Sequence, residues 1–385
     1  MIEQLQKINR VTTTPVISRI DIIYSSEDTP KKKVFSRQRR ALLSLLLGAG
    51  FFLLIAMLAN IEVESKHPEW VDPPYGLRLN LLKKAVAQNS DKPLLVFIGT
   101  SRTGYGIDSK NFDQLPGVLG FNFGRSGAVL AEQLFTLKRL LKDGVEPKYV
   151  LLEILPANLG DQRTTEELIP PSRVRWKDLA LVEEDHCNRS KYELHWFGEH
   201  CNILSNVRFS LLNSQLPWAV PESSVEAYRQ HMPRDRFGSS PLERRYVTTQ
   251  MIDRMKESTF SFYREHLKEL QIQSRPIETI CEILRICQER GIQSGIYLMP
   301  EARTFRGWYR EDWNEEMPLR LSEICREFRI PLFDKRFSCE DADFVDGHHL
   351  WDETASEFTG SFLKDDILPW VQGLPNGQTA GRDLN

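Results

Sequence analysis

The chain has 385 residues, 41% of them hydrophobic and 27% charged, so it can bury a core and is too apolar to be disordered. Its 50 basic and 53 acidic residues give a formal net charge of −3, which provides no overall attraction to nucleic acid. Six cysteines are too few for a disulfide scaffold, and the sequence contains no repeat.

The first predicted element is an uncharged apolar segment at residues 41–61, with the sequence ALLSLLLGAGFFLLIAMLANI. As a helix rising 1.5 Å per residue, it would span a hydrocarbon core of about 30 Å, so we predict a transmembrane helix in the lipid bilayer. The basic segment KKKVFSRQRR precedes it, and Glu62 and Glu64 follow it. The positive-inside rule therefore predicts a single-pass protein with a cytoplasmic basic tail at residues 1–40 and an extracytoplasmic C-terminal domain.

A cleaved signal peptide and a buried core helix fit this segment less well. A cleaved signal peptide has a short leader and a short apolar core, whereas this leader has 40 residues. A buried core helix normally carries a polar stripe, which this segment lacks. Residues 62–90, which contain Pro68, Pro73 and Pro74, are predicted to be a linker with a helix leading into the next domain.

Beyond the linker, apolar strands alternate with amphipathic helices. Strands are predicted at residues 94–98, 118–123, 149–155, 292–299 and 330–333, and helices have apolar faces within residues 130–141, 277–287, 317–328 and 355–362. This alternation is typical of a parallel sheet covered on both faces, so the predicted fold is an α/β three-layer α/β/α sandwich over residues 91–372. Residues 156–260 break the alternation and are predicted to form a helical insertion, either a lid or a partner surface. A flexible tail is predicted at residues 373–385.

Three loops at the predicted carboxyl edge of the sheet carry groups suited to catalysis. Ser101 follows the first strand, a glycine-containing loop ending at Gly127 follows the second, and Asp346 and His349 precede the last helix. A serine hydroxyl needs a base to take its proton, histidine is the usual base, and a carboxylate fixes the histidine tautomer. Because parallel strands gather such loops at one edge, the sequence predicts that these groups meet there.

These motifs resemble those of the SGNH/GDSL hydrolase superfamily. Gly99-Thr100-Ser101 is similar to the Gly-Asp-Ser block, Gly127 follows Asn122 by five residues as in the second block, and Asp346-Gly347-His348-His349-Leu350 matches the Asp-x-x-His-Leu block. The third block, Gly-x-Asn-Asp in the family, is replaced by Glu153-Ile154-Leu155-Pro156-Ala157-Asn158, with Asn158 one residue out of register. Gly-Thr-Ser-Arg at residues 99–102 is similar to a membrane-anchored branch that includes proteins of teichoic-acid D-alanylation and alginate acetylation.

The resemblance implies a flavodoxin-like parallel sheet and a serine esterase or O-acyltransferase that needs no cofactor. Ser101 would be the nucleophile, His349 the base and Asp346 the group that orients it. The N–H groups of Ser101 and Gly127, with the side chain of Asn158, would stabilise the oxyanion. The implied substrate is an acyl ester of an envelope polysaccharide or of a lipid-linked molecule, and the implied partner is a membrane-bound acyltransferase.

Some roles within this site have alternatives. Arg102 and Arg125 are candidates for binding an anionic substrate, or they are solvated arginines. Ser101 could instead cap a helix, Asp346 and His349 could form a turn and a cap, and His348 competes with His349 as the base. The altered third block favours a second function: a catalytically inactive SGNH-like binding or assembly component of a cell-envelope polymer-modifying complex.

A cluster of zinc-type ligands lies within the predicted insertion, comprising His186, Cys187, His195, His200 and Cys201. A disulfide between Cys187 and Cys201 fits a domain outside the membrane, while zinc binding and free thiols remain open alternatives. No metal site is assigned from the sequence.

Overall fold

The structure is a computed structural model that describes residues 32–163, 165–182, 188–201, 203–222, 225 and 233–373. Most of the predicted basic tail, nearly all of the predicted flexible tail, and Cys187 lie outside the described residues. The chain divides into two compact units, residues 1–52 and residues 53–385. The second unit contains the α/β domain and the insertion.

The apolar segment forms part of helix α1 (Lys32–Lys66), which is longer than the predicted span at both ends. Within the described residues, Arg37–Lys66 is the one stretch of helix long and apolar enough to cross a membrane. Its large apolar side chains, from Leu42 to Leu58, are mostly exposed. The residues predicted as a linker hold the end of α1 and two further helices, α2 (Pro68–Val71) and α3 (Pro73–Gln88). Helix α3 packs Tyr75, Leu79 and Leu82 into the main core.

The domain is built on a five-stranded parallel sheet. The strands are β1 (Leu94–Gly99), β2 (Leu119–Gly124), β3 (Tyr149–Glu153), β4 (Gln293–Leu298) and β5 (Leu332–Asp334). Their order is β2-β1-β3-β4-β5, which confirms the predicted α/β fold. Every residue of β1, β2 and β3 is buried, because helices cover both faces of the sheet, and this explains the unbroken apolar runs. The register aligns Gly99 with Gly124, so β1 and β2 end together.

The helices described after β1 are α4 (Ser101–Gly106), α5 (Leu130–Lys142), α6 (Thr165–Leu168), α7 (Arg189–His200), α8 (Ile203–Gln215), α9 (Thr249–Lys268), α10 (Ser274–Glu289), α11 (Arg303–Arg306), α12 (Trp313–Phe328), α13 (Asp352–Phe362) and α14 (Leu368–Val371). A short 3₁₀ helix follows β3 at Pro156–Gly160. Helices α5, α10, α12 and α13 contain the four predicted apolar faces. Gly144 follows α5 in the left-handed region, with φ +80°, which explains why that helix ends where the sequence predicts.

The insertion packs on the α/β domain through a second apolar cluster. Tyr192 and Trp196 of α7 pack there with Phe135 of α5, together with Leu168 of α6 and with Val174 and Leu179. Buried hydrogen bonds fix α7 in place, since the Tyr192 hydroxyl donates to the Ile169 carbonyl at 2.6 Å and the Trp196 indole donates to the Val174 carbonyl at 2.6 Å.

Candidate active site

Ser101 lies at the carboxyl end of β1, as the first residue of α4. Thr100 is the residue that caps this helix, because its hydroxyl accepts a hydrogen bond from the Arg102 N–H at 3.1 Å. The capping role considered for Ser101 is therefore filled by its neighbour. The Ser101 side chain makes a different contact, with the histidine that precedes the last helix.

Ser101, His349 and Asp346 form a continuous chain of hydrogen bonds. Ser101 Oγ lies 2.8 Å from His349 Nε2, and His349 Nδ1 lies 2.8 Å from Asp346 Oδ2. A carboxylate that hydrogen-bonds to Nδ1 favours the histidine tautomer whose proton is on Nδ1. In this tautomer the Nε2 lone pair faces the serine hydroxyl. The arrangement is that of a serine with an adjacent, oriented base. His349 is the histidine that meets Ser101.

Asp346 is held as a carboxylate by the donors around it. Burial alone would raise its pKa, but the positive charges that His349 and His348 carry when protonated, together with hydrogen bonds from the His349 ring and the His348 backbone, hold the pKa well below its usual range. The Thr259 hydroxyl, from α9 of the insertion, also donates to Asp346 Oδ2, at 3.1 Å. Gly347, with φ +99°, supplies the left-handed backbone conformation next to Asp346.

His348 occupies a different environment from its neighbour. Its side chain is buried, and its ring stacks on Phe305 at 5.1 Å and meets Tyr263 edge-on at 5.3 Å. Burial lowers the pKa of His348 well below its usual value, so this imidazole is neutral. His348 is therefore a buried residue, and the histidine that contacts Ser101 is its competitor for the role of base, His349.

Glu153, at the end of β3, supports the turn that carries Ser101. It is completely buried, and its Oε2 accepts hydrogen bonds from the Thr100 N–H at 2.7 Å and the Thr103 N–H at 3.3 Å. The hydroxyls of Thr100 and Thr103 also donate to this carboxylate. The altered third block begins at Glu153, but the Gly-x-Asn-Asp motif of the family predicts no role for a glutamate at this position. A lone acidic residue at the end of a buried strand was the signal that could have identified it.

The structure contradicts the prediction that Arg102 contacts substrate. Its side chain is 1% exposed. It forms an ion pair with Glu301 at 3.0 Å, lies 3.7 Å from Glu153, and donates to the carbonyls of Met299 and Pro300. These carboxylates and carbonyls hold the guanidinium inside the domain, so it does not reach a ligand at the surface.

Arg125 corrects the second substrate-binding prediction in the same way. Its side chain is 5% exposed and donates to the Thr136 hydroxyl at 3.1 Å. Its guanidinium lies 3.6 Å from Glu132 and 3.9 Å from Asp72, and these two carboxylates hold it inside the domain. Burial lowers the pKa of Arg125 from its ordinary value, and Asp72 opposes this shift.

The loop after β2 lies beside the serine and histidine. The Tyr105 ring meets the His349 ring edge-on at 5.3 Å, and its hydroxyl lies 3.0 Å from Ser126 Oγ. Gly127 has φ +73°, and a side chain there would meet no atom within 4 Å, so this part of the loop faces open space. The Asn158 side chain donates to the Ala128 carbonyl at 3.4 Å. Asn158 therefore contacts this loop. The roles of Gly127 and Asn158 in stabilising an oxyanion stay predictions.

Two groups of possible metal ligands lie in this region and in the insertion. Asp346, His348 and His349 offer ligand atoms within 4.8 Å of one another, which is close enough to hold a metal ion. Both ring nitrogens of His349 are already engaged by Ser101 and Asp346, so a metal there would displace that hydrogen-bond chain. The predicted disulfide between Cys187 and Cys201 is outside the described residues because of Cys187.

Two comparisons relate parts of this chain to known proteins. Residues 64–169, less than half of the chain, match a family described as "Protein of unknown function (DUF1574)". A crystal structure from Bacteroides fragilis, described as that of a "putative acylhydrolase", is similar with 12% identity and a TM-score of 0.34, over 74% of this chain and 97% of that chain. No curated protein matches the chain.

Proposed function

We propose that the protein is a serine esterase or O-acyltransferase of the SGNH type. The observation that carries this proposal is the chain of two 2.8 Å hydrogen bonds from Ser101 through His349 to Asp346. The buried carboxylate keeps the imidazole in the tautomer that accepts the serine proton, and it stabilises the imidazolium that forms. The resemblance of the surrounding motifs to the SGNH superfamily supports the same chemistry.

In the proposed reaction, Ser101 Oγ attacks the carbonyl carbon of an acyl ester while its proton moves to His349 Nε2. The backbone N–H groups of Ser101 and Gly127, with Asn158, would hold the oxyanion. His349 then returns the proton to the leaving alcohol as the C–O bond breaks, and the acyl group remains on the serine. Water or a sugar hydroxyl then gives its proton to His349 and attacks the acyl-enzyme. His349 returns this proton to Ser101 Oγ as the acyl–serine bond breaks, which releases an acid or a new ester and restores the serine hydroxyl.

The membrane-length apolar helix supports a substrate at a membrane surface. We propose an acyl ester of an envelope polysaccharide or a lipid-linked molecule, handled by a domain outside the cytoplasm. The six basic side chains of residues 31–40 support this orientation through the positive-inside rule. A membrane-bound acyltransferase that supplies the acyl group is the partner that this chemistry would need for transfer.

A specific observation favours a second candidate function. Glu153 begins the altered third block, and the Asn158 amide is bonded to the Ala128 carbonyl. If the site lacks this oxyanion donor, the transition state loses about 3–4 kcal/mol of stabilisation. The domain would then act as a non-catalytic binding or assembly component of an envelope polymer-modifying complex.

A fluorophosphonate probe tests the primary proposal on the full chain in detergent. We expect covalent labelling at Ser101, located by mass spectrometry, and its loss in Ser101→Ala and His349→Ala. Ser361→Ala is the matched control, because this serine is exposed and hydrogen-bonds only within its own helix. Folded protein that takes no label and hydrolyses no small acetyl ester would refute the catalytic proposal and favour the binding function.

A further inference from the structure

The carboxyl-terminal end of α1 packs directly against the insertion. Ala59 and Val63 of α1 contact a small apolar cluster formed by Val71 and by Val207 of α8. This cluster is separate from the main core, so it joins α1 to α8 independently of the sheet. The insertion therefore lies beside the last turns of the helix that is long and apolar enough to cross a membrane.

Two hydrogen bonds reinforce this contact. Asn60 Nδ2 donates to the His200 carbonyl at 2.6 Å, and the Trp176 N–H donates to Glu64 Oε2 at 2.7 Å. Both bonds join polar groups of the insertion to residues in the last two turns of α1. The side chains of Asn60, Glu64 and His200 are at most 9% exposed, so these polar groups are directed into the protein.

An apolar groove of about 330 Å³ lies beside this contact, between α1 and the insertion. Its α1 wall consists of large side chains that share one face of the helix at a four-residue spacing. Its insertion wall is aromatic. The side chains of the two walls are Leu53, Met57, Ile61, Trp176, Trp196 and Phe197. No residue of the hydrogen-bond chain at Ser101 lines this groove, so a molecule that fills it is apolar and does not reach the candidate active site.

Helix α7 exposes an apolar edge next to this groove. Phe197 is 53% exposed, and Leu194, which lies one turn earlier on the same face, is 73% exposed. Trp176, which also lines the groove, is 60% exposed. Large apolar side chains that are exposed together mark a contact with a membrane or with another protein.

The position of the groove along α1 decides between these two contacts. Ile61 is the last residue of the uncharged segment, and Leu53 lies eight residues earlier, about 12 Å along the helix axis. If α1 crosses a membrane with its carboxyl end outside, the groove is level with the hydrocarbon of the extracytoplasmic leaflet and its interface. One turn of a protein helix with its side chains occupies roughly 400–600 Å³, which is more than the groove holds. A lipid acyl chain is apolar and thin enough to enter it.

We propose that the insertion is a lipid-contacting surface, in which the edge of α7 at Leu194 and Phe197 enters the extracytoplasmic leaflet and the groove holds a lipid acyl chain. Trp176, which is bonded to Glu64 just beyond the apolar span, then lies at the interface, where tryptophan is enriched. The proposal rests on the membrane span of α1 proposed above, and it does not depend on the Ser101 chemistry. It explains the apolar groove and the exposed side chains of α7 by one partner, the bilayer.

Photo-crosslinking in lipid vesicles tests this proposal on the full chain. Ser101→Ala protein, which cannot hydrolyse a bound lipid through the proposed chemistry, is reconstituted in dioleoyl phosphatidylcholine with p-benzoylphenylalanine in place of Phe197. We expect an adduct with one phospholipid, and alkaline hydrolysis of its esters should leave oleic acid on the peptide. Glycerophosphocholine left on the peptide instead would place this edge of α7 among the headgroups, and a crosslink to protein would show that a partner covers it. Either result would overturn the proposal.

A matched pair of leucines identifies the surface that contacts lipid. Leu319 is 61% exposed on α12, which packs beside β5, at the opposite edge of the sheet from β2. Leu194→Asp should lower the adduct yield at position 197 at least fivefold, because a charge disfavours entry into hydrocarbon, whereas Leu319→Asp should leave it unchanged. Equal yields in the two variants would refute the assignment to α7. Placing p-benzoylphenylalanine at Leu194 itself should give the same oleoyl adduct, which covers the case in which Leu194→Asp does not fold.

Carbonate extraction separates failure of this inference from failure of the membrane span on which it rests. We expect the full chain to stay with the vesicles at alkaline pH. Retained protein that gives no lipid adduct at position 197 would overturn the lipid contact alone, whereas release by carbonate would overturn the membrane span and the lipid contact together. Labelling of Ser101 by the fluorophosphonate probe is a separate measurement, so neither result is confused with failure of the proposed catalysis.

Discussion

Replacement of Glu153 tests whether the turn that carries Ser101 depends on one buried carboxylate. Glu153→Leu removes the acceptor from the N–H groups of Thr100 and Thr103, both of which are buried. Each orphaned buried amide costs about 1–3 kcal/mol, so the free energy of unfolding should fall by about 2–6 kcal/mol. The Thr103 hydroxyl keeps a partner in this variant, because Tyr297 Oη lies 2.6 Å away.

Glu153→Gln is the informative comparison. The N–H groups of Thr100 and Thr103 both donate to Oε2, and an amide oxygen can occupy that position. The Oε1 position faces the Thr100 hydroxyl and, at 3.7 Å, Arg102 Nε. The glutamine NH₂ group would donate to the hydroxyl but would lose the attraction to Arg102. Because Arg102 keeps its 3.0 Å ion pair with Glu301, we expect a loss of only about 1–2 kcal/mol.

Guanidinium unfolding of the full chain in detergent, followed by circular dichroism, measures both changes. The rate of fluorophosphonate labelling at Ser101 reports on the turn itself and should fall more for Glu153→Leu than for Glu153→Gln. Equal stability of the two variants would refute the hydrogen-bond argument, since it depends on the acceptor at Oε2. A Glu153→Leu protein within about 1 kcal/mol of the parent would show that the amides find other partners.

Three further predictions concern the site and its surroundings. Thr259→Val should slow fluorophosphonate labelling by about tenfold to a hundredfold, because a hydrogen bond to a buried carboxylate contributes about 1.5–3 kcal/mol. Thr259→Ser should restore the rate, and an unchanged rate in Thr259→Val would exclude a role for this residue. Burial raises the pKa of Asp72, but Arg173 and the other arginines around it lower this pKa by more, to well below the unfolded value of about 4. Thermal stability should therefore fall as the pH drops below about 4, because the folded carboxylate then loses these ion pairs. The fall should be less steep in Asp72→Asn. Gly124→Ala should cost about 2–3 kcal/mol in denaturant unfolding, since its Cβ would lie within 2.2 Å of the Gly104 nitrogen; a smaller loss would mean that α4 can shift.

The sheet could be predicted because its signals are local. Buried parallel strands are short apolar runs, and all five predicted runs match observed strands to within two residues at each end. The meeting of Ser101 with His349 also followed from topology, since strands in one parallel sheet bring their following loops to one edge.

The environment of the site could not be predicted, because it depends on contacts between distant residues. Arg102 and Arg125 follow buried strands in polar loops, which is typical of exposed residues. Their burial depends on Glu301 and Asp72, which are far away in the sequence and carry no motif. The wrong interpretation of the two arginines therefore has one physical cause: spacing along the chain does not reveal which carboxylates will surround a cation.

The contact between Thr259 and Asp346 also bears on the function of the insertion, which the sequence left open between a lid and a partner surface. If α9 moved away as a lid, Asp346 would lose a hydrogen bond, at a cost of about 1.5–3 kcal/mol in each opening. Thr259 is 6% exposed, whereas Phe260 and Phe262 beside it are 45% and 66% exposed. A helix fixed to the site on one face, with aromatic side chains exposed on another, is better suited to contact a partner than to open. Helix α9 also reaches the site through Tyr263, whose ring meets His348 edge-on at 5.3 Å, so two of its side chains would have to leave the site if the helix opened.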